Sequence, residues 1–98
     1  MTTILHGGRQ YAHIYELRDT ISGYYYIGST FQPLRLRLDG HKRNGQKHPH
    51  RKIYQHITNW DHVVINSLLR FECSNRADKY LTERTFIRRA LGDEMCVN

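Results

Sequence analysis

The stretch Tyr11–Ser29, YAHIYELRDTISGYYYIGS, decides how the rest of the chain is read. Tyr11–Arg18 is rich in aromatic and β-compatible residues and predicts a strand. Asp19, Ser22 and Gly23 are turn formers, and Tyr24–Ser29 predicts a second strand. Two such runs around a short polar turn form an antiparallel hairpin. Strand side chains alternate between faces, so His13, Tyr15 and Leu17 share one face, as do Tyr24, Tyr26 and Gly28. If these faces coincide, Tyr15 and Tyr26 present two phenols to one side. Tyrosine also favours strands for packing reasons alone, but Gly28 argues for more, since a glycine inside a strand marks the close approach of a ligand or another backbone.

Outward from the hairpin, Pro33 suits the first turn of a helix, and Leu34, Leu38 and His41 recur at helical spacing to about Arg43. The basic stretch His41–Lys52, HKRNGQKHPHRK, contains Gly45 and Pro49 and reads from Asn44 as a loop. A short helix is expected over Lys52 to about Asn59 and a third strand over Val63–Phe71. A last helix, capped by Ser74 or Asn75, should run to about Ala90. Met1 to about Gln10 has no clear period and is expected to be a loose arm. The element order β-β-α-α-β-α specifies an α/β (α+β) domain, a three-stranded antiparallel sheet flanked by helices. The 98 residues suit one domain.

Lys and Arg number 15 against 9 acidic residues, a formal charge of +6. An excess of this size on so small a domain points to a polyanionic partner, of which a phosphate backbone is the commonest. The two cysteines, Cys73 and Cys96, form no CxxC pair and are too few for a secreted disulfide scaffold, so an intracellular setting is expected. No apolar run approaches a membrane span, and the N-terminus lacks the apolar core of a signal peptide. The histidines show neither ligand pairs on one helix nor cysteines at finger spacing, which disfavours zinc.

Three polar residues sit on faces that should be apolar. Arg37 and His41, one turn apart, share a helical sector with Leu34 and Leu38. Arg37 either faces a phosphate or lays its stem on apolar surface with its head in water. In the last helix Glu83 projects between Ile87 and Ala90, beside a stripe of Tyr80, Ile87 and Leu91. A carboxylate in that sector needs a partner, either a hard metal ion or a cation such as Arg37.

Taken together, these residues resemble the GIY-YIG nuclease family. Ile14–Tyr15 and Tyr26–Ile27–Gly28 match the two halves of its signature with ten residues between the tyrosines; His13 stands where the family usually has glycine. Gly28–Ser29–Thr30, Pro33–Leu34, Arg37–Leu38 and His41 resemble the next block. Glu83 with Phe86–Ile87 resembles the block of the metal-binding glutamate, and Asn98 matches a late asparagine. The resemblance implies an endonuclease that hydrolyses phosphodiester bonds with one divalent cation, Mg²⁺ or Mn²⁺. On that footing Glu83 holds the metal, Arg37 binds the phosphate, Tyr15 is the candidate general base and Tyr26 orients water or phosphate. His41 accepts or relays a proton or holds Tyr15, and Asn98 braces the site.

Lys42, Arg43, Lys47, Arg51 and Lys52 are expected to follow the phosphate backbone. The expected partner is nucleic acid, DNA ahead of RNA, bound by a monomer or homodimer. Two other readings compete: a nucleic-acid-binding module of the same fold without catalysis, and a protein-interaction domain using exposed tyrosines. The set Tyr15, Tyr26, Arg37, His41 and Glu83 favours the enzyme, because binding alone has no need of a core carboxylate.

Overall fold

The computed structural model describes residues 10–98. Three strands, β1 (Gln10–Asp19), β2 (Tyr25–Thr30) and β3 (Val63–Cys73), form one antiparallel sheet in the order β2-β1-β3. The helices are α1 (Leu34–Lys47), α2 (Lys52–His56) and α3 (Arg76–Arg89), with a 3₁₀ turn at Trp60–His62 before β3. The predicted order β-β-α-α-β-α and the three-stranded sheet are both observed. The expected arm at Met1 to about Gln10 lies outside the described residues except for Gln10, which opens β1 and pairs with Cys73.

The hairpin turn is built by Asp19, whose carboxylate accepts from the backbone N–H of Ile21 and Ser22, and by Gly23, which takes a positive φ of 85°. β1 is the central strand and is buried on both faces: Ala12 and Ile14 on one, Tyr15 and Leu17 on the other. Its register against β3 slips between Ile14 and Tyr15, where Leu68 is left over; such a bulge adds local twist. Tyr15 and Leu17 anchor a core with Ile53, Tyr54, Ile57, Val63 and Val97, against which Leu34, Leu38, Trp60 and Tyr26 pack.

Two details depart from the sequence reading. First, α1 does not stop near Arg43 but runs to Lys47, so Lys47 is helical rather than on a loop. Helix continues through Gly45, where a Cβ would meet Tyr54 and Trp60 at 3.3 and 3.4 Å; the glycine lets the helix lie close to both rings. Second, the apolar stripe expected on α3 is not its buried face. Tyr80 is half exposed and Leu91, past the end of the helix, is 77% exposed, whereas Lys79 is the helix's buried residue. The Asn75 cap is as expected, its side chain accepting from Asp78 N–H.

The outer edge of β2 is covered by the C-terminal segment. Tyr25 N–H donates to Met95 O and Val97 N–H to Tyr25 O. Asn98 then spans Ile27, its Oδ1 accepting from Ile27 N–H at 2.8 Å and its Nδ2 donating to Ile27 O at 2.6 Å. Backbone groups that would otherwise stand as an open sheet edge are thereby paired on either side of Tyr26.

Candidate active site

Register sets the first part of the site. Tyr15 pairs with Gly28 and Leu17 with Tyr26, so Tyr15, Tyr26 and Gly28 share a face, as the alternation predicted. The space beside Gly28 is filled by the Tyr15 phenol: a Cβ at residue 28 would collide with the Tyr15 hydroxyl and the Tyr26 ring. Gly28 therefore makes room for a side chain of the same sheet rather than for a ligand. Centroids of the Tyr15 and Tyr26 rings are 6.4 Å apart.

From α1, His41 projects between them, with ring centroids 5.8 Å from Tyr15 and 5.5 Å from Tyr26. His41 Nε2 lies 2.7 Å from Tyr15 Oη, and His41 Nδ1 lies 2.9 Å from Tyr54 Oη. One turn earlier, Arg37 Nε donates to Tyr15 Oη at 3.3 Å. Arg37 can only donate, so the Tyr15 oxygen accepts from it. The neutral His41 ring donates through one nitrogen and accepts through the other, which ties both phenols to it. Arg37, Tyr15, His41 and Tyr54 thus form one hydrogen-bonded row from the site's edge into the core.

The electrostatics follow from burial. His41 is 2% exposed; desolvation, reinforced by the Arg37 charge, lowers its pKa to about 3 and keeps the ring neutral at ordinary pH. Burial pushes the Tyr15 phenol well above its usual value, and the nearby Arg37 guanidinium offsets only part of that. Tyr26 is raised by burial and then by the Glu83 carboxylate, against the pull of Arg37.

The second part of the site comes from α3. Ser29 follows Gly28 on β2 and lies opposite Ile14, so it points away from the Tyr15 face. Its Oγ is 2.7 Å from Glu83 Oε1 and 3.1 Å from Lys79 Nζ. Glu83 is half-buried, and its charge reaches both Tyr15 and Tyr26. The partner found for Glu83 is therefore the Ser29 hydroxyl, while Arg37 bonds Tyr15. Beside these groups a hollow of about 400 Å³ is lined by Ser29, Phe31, Arg37, Arg76, Lys79 and Tyr80, with three cations on its walls.

Of the residues singled out from sequence, Tyr15, Tyr26, Arg37 and His41 are gathered directly, while Glu83 on α3 is bonded to Ser29 and reaches the two tyrosines through its charge. Asn98 is a brace on β2. Lys42, Arg43, Lys47, Arg51 and Lys52 are exposed, and Lys52 Nζ donates to Asn98 O at 3.3 Å. Three participants carried no assigned role: Tyr54, Ser29 and Lys79. Tyr54 read as an ordinary core aromatic, and nothing local marks a partner from another helix. Lys79 did carry a signal, since it stands one turn before Glu83 and shares its side of the helix.

Among the described residues no group of three or more His, Cys, Asp or Glu could enclose a metal ion. The chemistry available is one hard carboxylate, Glu83, with cationic and phenolic neighbours. That set fits a hydrated Mg²⁺ or Mn²⁺ ion, which keeps several waters and takes few protein ligands; it does not fit a fully protein-ligated site of the zinc kind.

Comparison with known proteins finds no match among curated proteins and none among solved structures. The family model of the GIY-YIG catalytic domain matches residues 11–89, which include both signature tyrosines, Arg37, His41 and Glu83. With most of its length matched to that family model, and with the signature residues gathered at one site, the chain belongs to the GIY-YIG catalytic domain family.

Proposed function

We propose that this protein is a divalent-metal-dependent endonuclease that hydrolyses phosphodiester bonds, with DNA as its substrate. The family makes a nuclease-type domain the starting point. The observation that carries the reading is the row Arg37–Tyr15–His41–Tyr54 beside a carboxylate presented from α3. A binding module has no use for a buried neutral histidine hydrogen-bonded to two phenols.

Arg37 binds the scissile phosphate. Its Nε is held on Tyr15, and its terminal nitrogens offer donors in a planar fork that matches a phosphate and offsets charge as it develops. Tyr15 is the general base for the attacking water. Burial opposes its phenolate, and the Arg37 guanidinium on its oxygen, together with the positive charge of an ion bound nearby, would offset that cost. His41 holds the Tyr15 oxygen through Nε2, and Tyr54 holds the His41 ring through Nδ1. Tyr26 orients the water or the phosphate. Glu83 would hold the ion, and Mg²⁺ or Mn²⁺ bound there would supply Lewis-acid polarisation of the phosphate and charge for the leaving oxygen. Lys42, Arg43, Lys47, Arg51 and Lys52 contact flanking backbone phosphates, a sequence-independent source of affinity that weakens with salt.

Incubation with supercoiled plasmid, with Mg²⁺ or Mn²⁺ and in excess EDTA, tests the reading. Nicking or linearisation that needs the ion and disappears in Glu83→Ala supports it. Salt-sensitive DNA binding without cleavage under any metal condition would establish the non-catalytic module instead, and robust cutting in EDTA would remove the metal.

A further inference from the structure

Lys79 is 5% exposed, a rare state for a lysine, and the chemistry proposed above does not use it. Lys79 and Glu83 are four residues apart on α3, which makes them neighbours on one side of the helix. Here they do not meet head to head. Lys79 Nζ donates to Ser29 Oγ at 3.1 Å, and Ser29 Oγ donates to Glu83 Oε1 at 2.7 Å. The direction is forced, because an ammonium has only donors and a serine hydroxyl has one proton. The stem and head of Lys79 are fixed further by aromatic faces, Nζ lying 4.0 Å from the Tyr80 ring centroid and 5.4 Å from that of Phe31.

We infer that Ser29 is a positioning residue, a spacer that keeps the Lys79 ammonium off the metal-holding carboxylate while orienting that carboxylate with a hydrogen bond. The inference rests on the reading of Glu83 as the metal ligand. A carboxylate offers about four lone-pair sites. One hydrogen bond from Ser29 uses a single site on Oε1 and leaves the others for an ion and its waters. An ammonium seated directly on the carboxylate would neutralise it and compete with a dication for the same oxygens. Glu83 lies just beyond Ser29 from Lys79, so without the serine hydroxyl it is the strong acceptor the ammonium would turn to. Ser29 is set at the right height by register: it is the residue after Gly28, opposite Ile14, on the face turned to α3.

The test is Mn²⁺ binding by the full chain without nucleic acid, read from the electron paramagnetic resonance signal of free aqueous Mn²⁺. Ser29→Ala should weaken Mn²⁺ binding about ten-fold, as expected for loss of a group that orients a metal ligand. Ser29→Thr, which keeps the hydroxyl, should bind like the wild type. The deciding variant is the double substitution Ser29→Ala with Lys79→Met. If the serine holds a competing cation away, removing that cation restores most of the lost affinity; if the serine is merely structural, the second substitution restores nothing, which overturns the spacer role. Equal affinity in wild type and Ser29→Ala also overturns it. Absence of Mn²⁺ binding in the wild type overturns the metal reading of Glu83 itself. Melting temperatures of all variants confirm that folded proteins are being compared.

Discussion

The hydroxyl of Tyr15 stands in the space that a Cβ at Gly28 would enter. The glycine of the second signature block is thus explained by the tyrosine of the first, across a directly paired position of β1 and β2. Gly28→Ala should push the Tyr15 ring out of the row that joins Arg37 to His41. Overpacking of this kind costs about 1–3 kcal/mol, or roughly 4–8 °C in Tm per kcal/mol for a domain of this size. Cleavage should fall with it. Combining Gly28→Ala with Tyr15→Ala should cost less than the sum of the two single changes, since the obstacle is already gone. Strict additivity in thermal unfolding would mean that the two residues do not compete for that space.

This relationship was only half legible in the sequence. A glycine among β-formers announced that something comes close, but the pattern cannot say whether a ligand or a side chain fills the gap. The hairpin, the element order and the Asn75 cap could be read because each is local: turn formers, alternation and a capping side chain act within a few residues. The length of α1 could not, since Gly45 signals a loop locally, and the rings it packs beside, Tyr54 and Trp60, arrive later in the chain. On α3 the apolar pattern pointed at Tyr80 and Leu91, while the buried side chain is Lys79. Its polar head is accommodated by Ser29, a partner that helical periodicity cannot reveal.

Tyr15→Phe removes one oxygen and keeps the ring. If Tyr15 takes the proton from water, single-turnover cleavage should slow by about a hundred-fold or more, the range for losing a general base. Nε2 of His41 also loses its partner, and a buried unsatisfied group costs about 1–3 kcal/mol, so Tm should fall while DNA binding persists. Tyr26→Phe should slow cleavage less, because the proposed mechanism gives that phenol only an orienting role. Wild-type cutting by Tyr15→Phe would move the base elsewhere, with His41 next in line.

His41 also sets a pH dependence. Its pKa falls from 6.5 to about 3 on folding, so between those values the unfolded chain binds a proton that the native state does not. Stability is then complete above pH 6.5 and is lost progressively as pH drops toward 3. The full effect amounts to a few kcal/mol, since each ten-fold change in proton affinity is worth about 1.4 kcal/mol. Replacing His41 by Gln removes the titration, so the variant, although less stable at pH 7.5, should show a shallower decline of Tm on acidification. Parallel declines in the two proteins would assign the acid sensitivity to other groups.

Arg37 joins the two halves of the mechanism. Its Nε donates to Tyr15, its charge depresses His41 and moderates the rise of Tyr15 and Tyr26, and it borders the cationic hollow beside Glu83. Lysine would preserve the charge and lose the fork. One ammonium cannot hold the Tyr15 oxygen and grip a phosphate in the same geometry. Arg37→Lys should therefore cut at most about a tenth as fast as wild type, given that one transition-state donor is worth about 2.7–4 kcal/mol. DNA affinity should change much less, because a backbone contact needs only the charge. Comparing single-turnover rates with binding isotherms at one salt concentration separates the two effects. A variant that cuts at full rate would reduce Arg37 to a surface cation, and one that loses binding and rate together would make it an anchor for substrate rather than a stabiliser of the transition state.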